Sequence, residues 1–308
     1  MKQNGGRQRF VARAVLVFAV LVVGLTLFGV AVDQAVSRFG GVIWFGLLPG
    51  VLGLLFGLAC AWACIADVLD WRALRSCRVK PEQSAKDGET VAFSGRITCT
   101  HSALDSPIFE RPCAAFLTRI NGQRRSNSGS GYRSQLCGLE FAMTDSFLDT
   151  GDQRLRLLAL PDVDISFRSI GQGGATGKRA LNYLKTLRND AQQCDEADAE
   201  GSLVNARTQL LPPVHEVMLI AETQTTSNHV SVIEDIVPLD ETVTVLANFR
   251  AVRDELNGER RGGMKIFEGT IDECLKRLRK DWSGYARLAI PLVLIGSALL
   301  TVGYWWPG

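Results

Sequence analysis

The sequence predicts an α+β membrane protein: three transmembrane helices plus a β-rich, barrel- or sandwich-like cytosolic domain with one or two helices. Three observations predict it. The 308 residues contain three long stretches without a charge. Basic residues gather beside those stretches on one side only. Between the second and third stretch, short apolar runs alternate with turn residues, the pattern of strands. With 34 basic against 32 acidic residues the charge is nearly balanced, so the global balance gives no push towards nucleic acid.

The spans come first. Residues 14–32 carry no charge over 19 positions, 40–66 none over 27, and 288–306 again none over 19. Each is long enough to cross a hydrocarbon core of about 30 Å as a helix. The first run follows Lys2, Arg7, Arg9 and Arg13, as a signal peptide would. Its length and the poor cleavage site "GVAVD" favour a retained span. The second carries Gly46-x3-Gly50 and Gly53-x3-Gly57, spacings that permit close helix contact within a hairpin or, alternatively, in a homo-oligomer.

Orientation follows from the flanks. Residues 1–13 hold four basic residues and no acidic one, and the 33–38 loop holds one. Arg72, Arg75, Arg78 and Lys80 follow the second span; Lys276, Arg277, Arg279, Lys280 and Arg287 precede the third. A cytosolic N-terminus and a cytosolic domain over 75–285 are therefore expected. The N-terminus lacks the Ser-rich leader of an organelle import sequence, which points to a bacterial cytoplasmic membrane. Six of the eight cysteines then face a reducing compartment, and no disulfide framework is expected.

Within the domain, "TVAFSGRI", "CAAFLTRI", "LCGLEFAM", "RLRLLAL", "DISFRSI", "HEVMLIAETQ", "HVSVIEDI" and "TVTVLANFRAV" read as strands. Leu181, Leu184, Leu187, Ala191 and Cys194 recur at helical spacing and predict one amphipathic helix over 178–200. Ile271, Cys274, Leu275 and Leu278 predict a second, from Ile271 to about Trp282.

Chemistry is sparse. No C-x2-C pair and no His pair at i, i+4 occurs, so no metal and no cofactor is expected. "GQGGATGK" sits where a P-loop would, but Gln172 and Arg179 break the spacing, leaving a glycine-rich strand-to-helix connection. There is no G-x-S-x-G elbow. Asp145, Glu234 and Asp235 can form an acid pair only if the fold brings them together. Cys113 with His101 or His215 is the one thiol arrangement to weigh, against a small buried core thiol. Arg124, Arg125 and Arg133 decorate the polar 121–135 loop, which reads as a hairpin tip or as a docking loop for an acidic partner or anionic lipid heads.

"LDSPIFERPC" raises a further point. Pro107 holds Ser106 extended and turns the chain just before Cys113 opens a strand. Together with Gly95 and Ile97, Phe116, Phe141-x-Met143-x-Asp145, Glu234 and "PLDETVTVLA" with Glu241, this resembles the GIDE, or beside-the-membrane (BAM), domain. That family includes membrane-bound RING-type E3 ubiquitin ligases of mitochondria and chloroplasts. The resemblance covers about residues 75–308 and implies a β-rich domain held at a bilayer. Asp240 and Ala247 depart from it, standing where the family tends to have glycine. The ligases carry a zinc-binding RING after the last span, and nothing in these residues supplies one. An E3 ubiquitin ligase-related role would thus rest on resemblance alone.

The reading is an integral membrane protein that presents a GIDE-like domain as a non-catalytic interaction or scaffold module. Its expected partners are the lipid bilayer and an undetermined membrane or cytosolic protein, with no nucleic acid; homo-oligomers would form through the glycine-rich second span. The alternatives are a ligase-related membrane enzyme and a thiol-dependent hydrolase using Cys113. The residues singled out are Gly95, Ser106, Pro107, Cys113, Phe141, Asp145, Glu234 and Glu241, as determinants of fold or surface, with no catalytic residue among them.

Overall fold

The computed structural model describes residues 43–78, 85–100, 102–125, 132–187, 192–210, 212–220, 227–251, 253–258 and 263–305. It divides into two units: Met1–Ser76 with Leu275–Gly308, and Cys77–Cys274.

Among its described residues the first unit is helical. Helix α1 is Ile43–Ser76. Of the described residues, one helix, Gly50–Ser76, is long and apolar enough to cross a membrane. This corrects the expectation of three transmembrane helices. The 14–32 stretch lies outside the described residues. The 288–306 stretch is no separate span: it is the later part of one continuous helix, Ile271–Trp305, whose first half carries charges. The expected end near Trp282 is absent, since no proline interrupts that helix before Pro291.

The second unit is β-rich. Its strands are β1 (Thr90–Cys99), β2 (Leu104–Asp105), β3 (Pro112–Cys113), β4 (Ala115–Arg125) and β5 (Tyr132–Met143). Then come β6 (Ser146–Asp149), β7 (Arg154–Leu157), β8 (Asp162–Val163) and β9 (Arg168–Gln172). Helix α2 (Gly174–Leu187), β10 (Gln192–Gln193) and helix α3 (Glu196–Thr208) follow. The rest is β11 (Val214–Leu219), β12 (Ser231–Val237), β13 (Thr242–Arg250), β14 (Glu255–Asn257) and β15 (Lys265–Glu268), before α4 (Ile271–Trp305).

Strands β1, β6, β7, β14 and β13 close into a five-stranded barrel, because β1 pairs with β6 on one edge and with β13 on the other. The sheet continues from β13 through β15 to β8, its edge strand. Gly95 sits where β1 meets β6: a Cβ there would lie 2.2 Å from the Asp149 carbonyl oxygen. The remaining long strands form a six-stranded sheet in the order β10-β11-β5-β4-β12-β9.

One face of this sheet joins the barrel in a single core that includes Leu117, Leu139, Phe141 and Met143 with Ile97, Leu148, Val245 and Leu256. The other face carries a smaller cluster, in which Ile120, Cys137 and Val232 meet Ala180 and Leu184 of α2. Both faces are therefore covered, and its strands read as near-continuous apolar runs.

The single helix expected over 178–200 is two helices. Asp195 caps α3, its side chain accepting from the Asp198 amide at 2.8 Å, which starts a new helix where the periodicity seemed to continue. Cys194 precedes that cap and Ala191 lies outside the described residues. The glycine-rich stretch does connect strand to helix, with Gly173 in the left-handed region between β9 and α2.

Candidate functional site

Position 234 alternates with its neighbours along β12, and the register places Glu234 opposite both Thr118 on β4 and Ser169 on β9. The side chain is fully buried. One carboxylate oxygen accepts the Ile108 amide at 2.8 Å and the Thr118 hydroxyl at 3.2 Å; the other accepts the Phe109 amide at 3.2 Å. These two amides belong to the turn that Pro107 initiates. Ser106 closes that turn: its amide donates to the Arg111 carbonyl, and its hydroxyl accepts the Arg111 amide at 3.1 Å. Glu110 completes the reversal with a φ of 54°. From α2, the Arg179 guanidinium donates to the Ile108 carbonyl at 3.2 Å. Ser106, Pro107 and Glu234, far apart in sequence, thus form one constellation.

Cys113 ends β3, paired with Leu104 rather than opening the longer strand β4. Its thiol is buried and donates to the Leu104 carbonyl at 3.5 Å. Burial, then the charges of Glu234 and Asp105, push this thiol up to about 12. A nucleophilic cysteine needs the opposite environment, electropositive and partly exposed. His215 is engaged elsewhere, and His101 lies outside the described residues.

A second buried carboxylate escaped the sequence reading. Glu140 on β5 stands opposite Thr118, so it shares a sheet face with Glu234. It accepts the Tyr183 hydroxyl of α2 at 2.5 Å and faces the His215 Nε2 at 2.7 Å. Burial and this hydrogen bond push the Tyr183 phenol well above its usual range. The signal was present: an acidic residue inside the apolar run "LCGLEFAM" needs a buried partner.

Asp235, the neighbour of Glu234, points to the opposite face. Arg168 grips it with two nitrogens, one at 3.0 Å, and Arg119 stands 3.8 Å away. The acid pair imagined from Glu234 and Asp235 is therefore not formed. Asp145 is distant from both in function: it accepts from Arg156 Nε at 2.7 Å between β6 and β7.

Phe141 is fully buried in the shared core, while Glu241 is exposed in the turn before β13. Asp240 has a φ of 57°, the conformation glycine tolerates best. Arg124 and Arg133 are a cross-strand pair on β4 and β5, whose side chains and the loop 126–131 lie outside the described residues. Among the described residues no group of His, Cys, Asp or Glu is arranged to hold a metal ion.

The fold and its polar cluster define a class: a barrel-containing α+β domain in a chain that also carries an apolar helix, with Glu140, Glu234 and Asp235 held by donors of the domain itself. No family model, curated protein or solved structure matches the chain.

Proposed function

We propose that this is a membrane-attached protein that presents its Cys77–Cys274 unit as a non-catalytic interaction module, akin to a GIDE domain. The observation that carries the proposal is how the chemistry-bearing residues are used. Glu234 is saturated by two amides and a hydroxyl, and Cys113 is a buried thiol whose pKa is pushed up to about 12 by burial and neighbouring carboxylates. Side chains so committed hold a surface in shape and have no reacting atom to offer.

Helix Gly50–Ser76 supplies the attachment. Its outward residues Leu58, Trp62, Ile65 and Leu69 are all more than half exposed, as suits a helix in hydrocarbon. Arg72 and Arg75 in its last turns support a cytosolic position for the domain that follows. Kinship with the GIDE family is supported by the convergence of Ser106, Pro107 and Glu234, three residues its pattern singles out. Anchoring confines the module to a thin layer at the bilayer and raises its effective concentration towards membrane partners.

The test is affinity purification from native membranes in mild detergent, beside a variant whose 121–135 loop is replaced by a short turn. A specific protein recovered with the native chain and lost with the variant supports the module and locates its surface. Recovery of the chain alone in both forms counts against it.

A further inference from the structure

Gly53 and Gly57 of α1 are packed against α4. A Cβ on Gly57 would meet Val293 at 2.6 Å and one on Gly296 would meet Leu54 at 2.7 Å, so α1 packs on α4 of the same chain. The Cys64 thiol reaches the Trp282 carbonyl at 3.5 Å. Rising numbers on one helix meet falling numbers on the other, so the pair is antiparallel. The last turns of α1 and the 276–280 segment of α4 therefore lie at the same end.

That end is predominantly basic, with Asp272 and Glu273 exposed at the start of α4. Arg72, Arg75, Lys276, Arg279 and Lys280 are all exposed. Over 67–76 and 275–287 no acidic residue is exposed: Asp67 is buried, while Asp70 and Asp281 are half-buried. None of these five cations is in an ion pair among the described residues. Arg75 lies over the Trp71 ring at 5.0 Å, an amphipathic pairing suited to a membrane–water boundary. Beyond this collar the outward side chains turn apolar, with Leu58, Trp62 and Ile65 on α1 and Ile290, Leu294 and Ile295 on α4.

We infer that this collar is a recognition surface for anionic phospholipid headgroups. The inference rests on the membrane attachment proposed above. The occupant follows from position and charge: five unpaired cations at the boundary of an apolar helix surface face lipid phosphates when that surface is in hydrocarbon. Two helices distant in sequence build it together, so neither segment alone presents the full set.

The full chain would be reconstituted in a mixed phosphatidylcholine and phosphatidylglycerol bilayer and extracted with its bound lipids, which are then counted. Each basic residue near an anionic surface contributes roughly a fivefold preference. The native chain is expected to retain phosphatidylglycerol several-fold above its share of the bilayer. Replacing Arg72, Arg75, Lys276, Arg279 and Lys280 by Gln should return the ratio to that share. Replacing the exposed Lys86, Arg96, Lys178 and Arg253 by Gln should leave the enrichment intact.

Enrichment that survives the collar variant, or no enrichment in the native chain while it resists an alkaline wash, overturns the collar and spares the membrane reading. Loss of the native chain from the bilayer in that wash removes both. An acidic protein that purifies with the native chain and leaves with the collar variant assigns the surface to that protein and overturns the lipid proposal.

Discussion

On one face of β12 a buried carboxylate is held by groups that carry no net charge; on the other face, one residue later, the next carboxylate is held by guanidinium groups. Glu234 takes main-chain amides from a turn fixed by Pro107 and a hydroxyl from Thr118. Asp235 takes the long side chains of Arg168 and Arg119, each about a quarter exposed. The difference lies in what can follow if the acid is lost. Amides in a buried turn cannot move to water, whereas an arginine can swing its charged head outward. The Glu234 face is thus the rigid one and the Asp235 face the adaptable one.

The largest expected effect breaks the rigid face. Glu234→Ala strands two buried amides, and a loss of about 4 kcal/mol is expected from the unsatisfied donors and the cavity. Denaturant unfolding of the full chain in mild detergent measures it, and hydrogen exchange at Ile108 and Phe109 should accelerate with it. Unchanged protection at those amides would show that the turn stands without the carboxylate.

Asp235→Ala is expected to cost less, about 2 kcal/mol, because Arg168 and Arg119 retain access to solvent. Added salt should shrink this cost and leave that of Glu234→Ala unchanged. Equal costs at all salt concentrations would erase the contrast between the faces.

Cys113 sharpens the comparison through pH. Its thiol has a folded pKa raised from 9.0 to about 12, so above pH 9 the unfolded chain releases a proton that the folded chain retains. Stability from this group is complete below about 9 and declines by about 1.4 kcal/mol per pH unit up to about 12. Cys113→Val should flatten that part of a stability–pH curve. In the native chain this thiol should also resist alkylation at neutral pH while the protein stays folded.

The smallest effect has the opposite sign. Asp240→Gly relieves a left-handed backbone at the entry to β13 and should stabilise the chain by about half a kcal/mol. A destabilising outcome in the same unfolding assay would mean that the Asp240 side chain contributes more than its backbone costs.

How far the sequence could be read differs from place to place. "HVSVIEDI" is legible as a strand because β-branched residues alternate there, but alternation does not show that both faces are covered. Hence Glu234 and Asp235 look solvated from sequence and are buried in the fold. Glu140 was missed for the same reason. The periodicity over 178–200 hid a break because Asp195, a helix cap in the structure, has the same letters as a solvated acid. The apolar stretch 288–306 suggested a span with its own ends, whereas helix α4 runs straight through the basic segment before it.

By itself, the sequence determined the local matters: where strands form, that Pro107 makes a turn, that 40–66 is an uncharged apolar stretch, and that no metal-type cysteine spacing exists. These depend on neighbours within a few residues, where periodicity and backbone preference act. Only the tertiary structure decided that β1 closes the barrel onto β13, that the Ser106–Pro107 turn meets Glu234, and that α1 packs on α4. Each of those joins residues more than a hundred positions apart, and such contacts follow from shape, register and the need to satisfy every buried polar group at once.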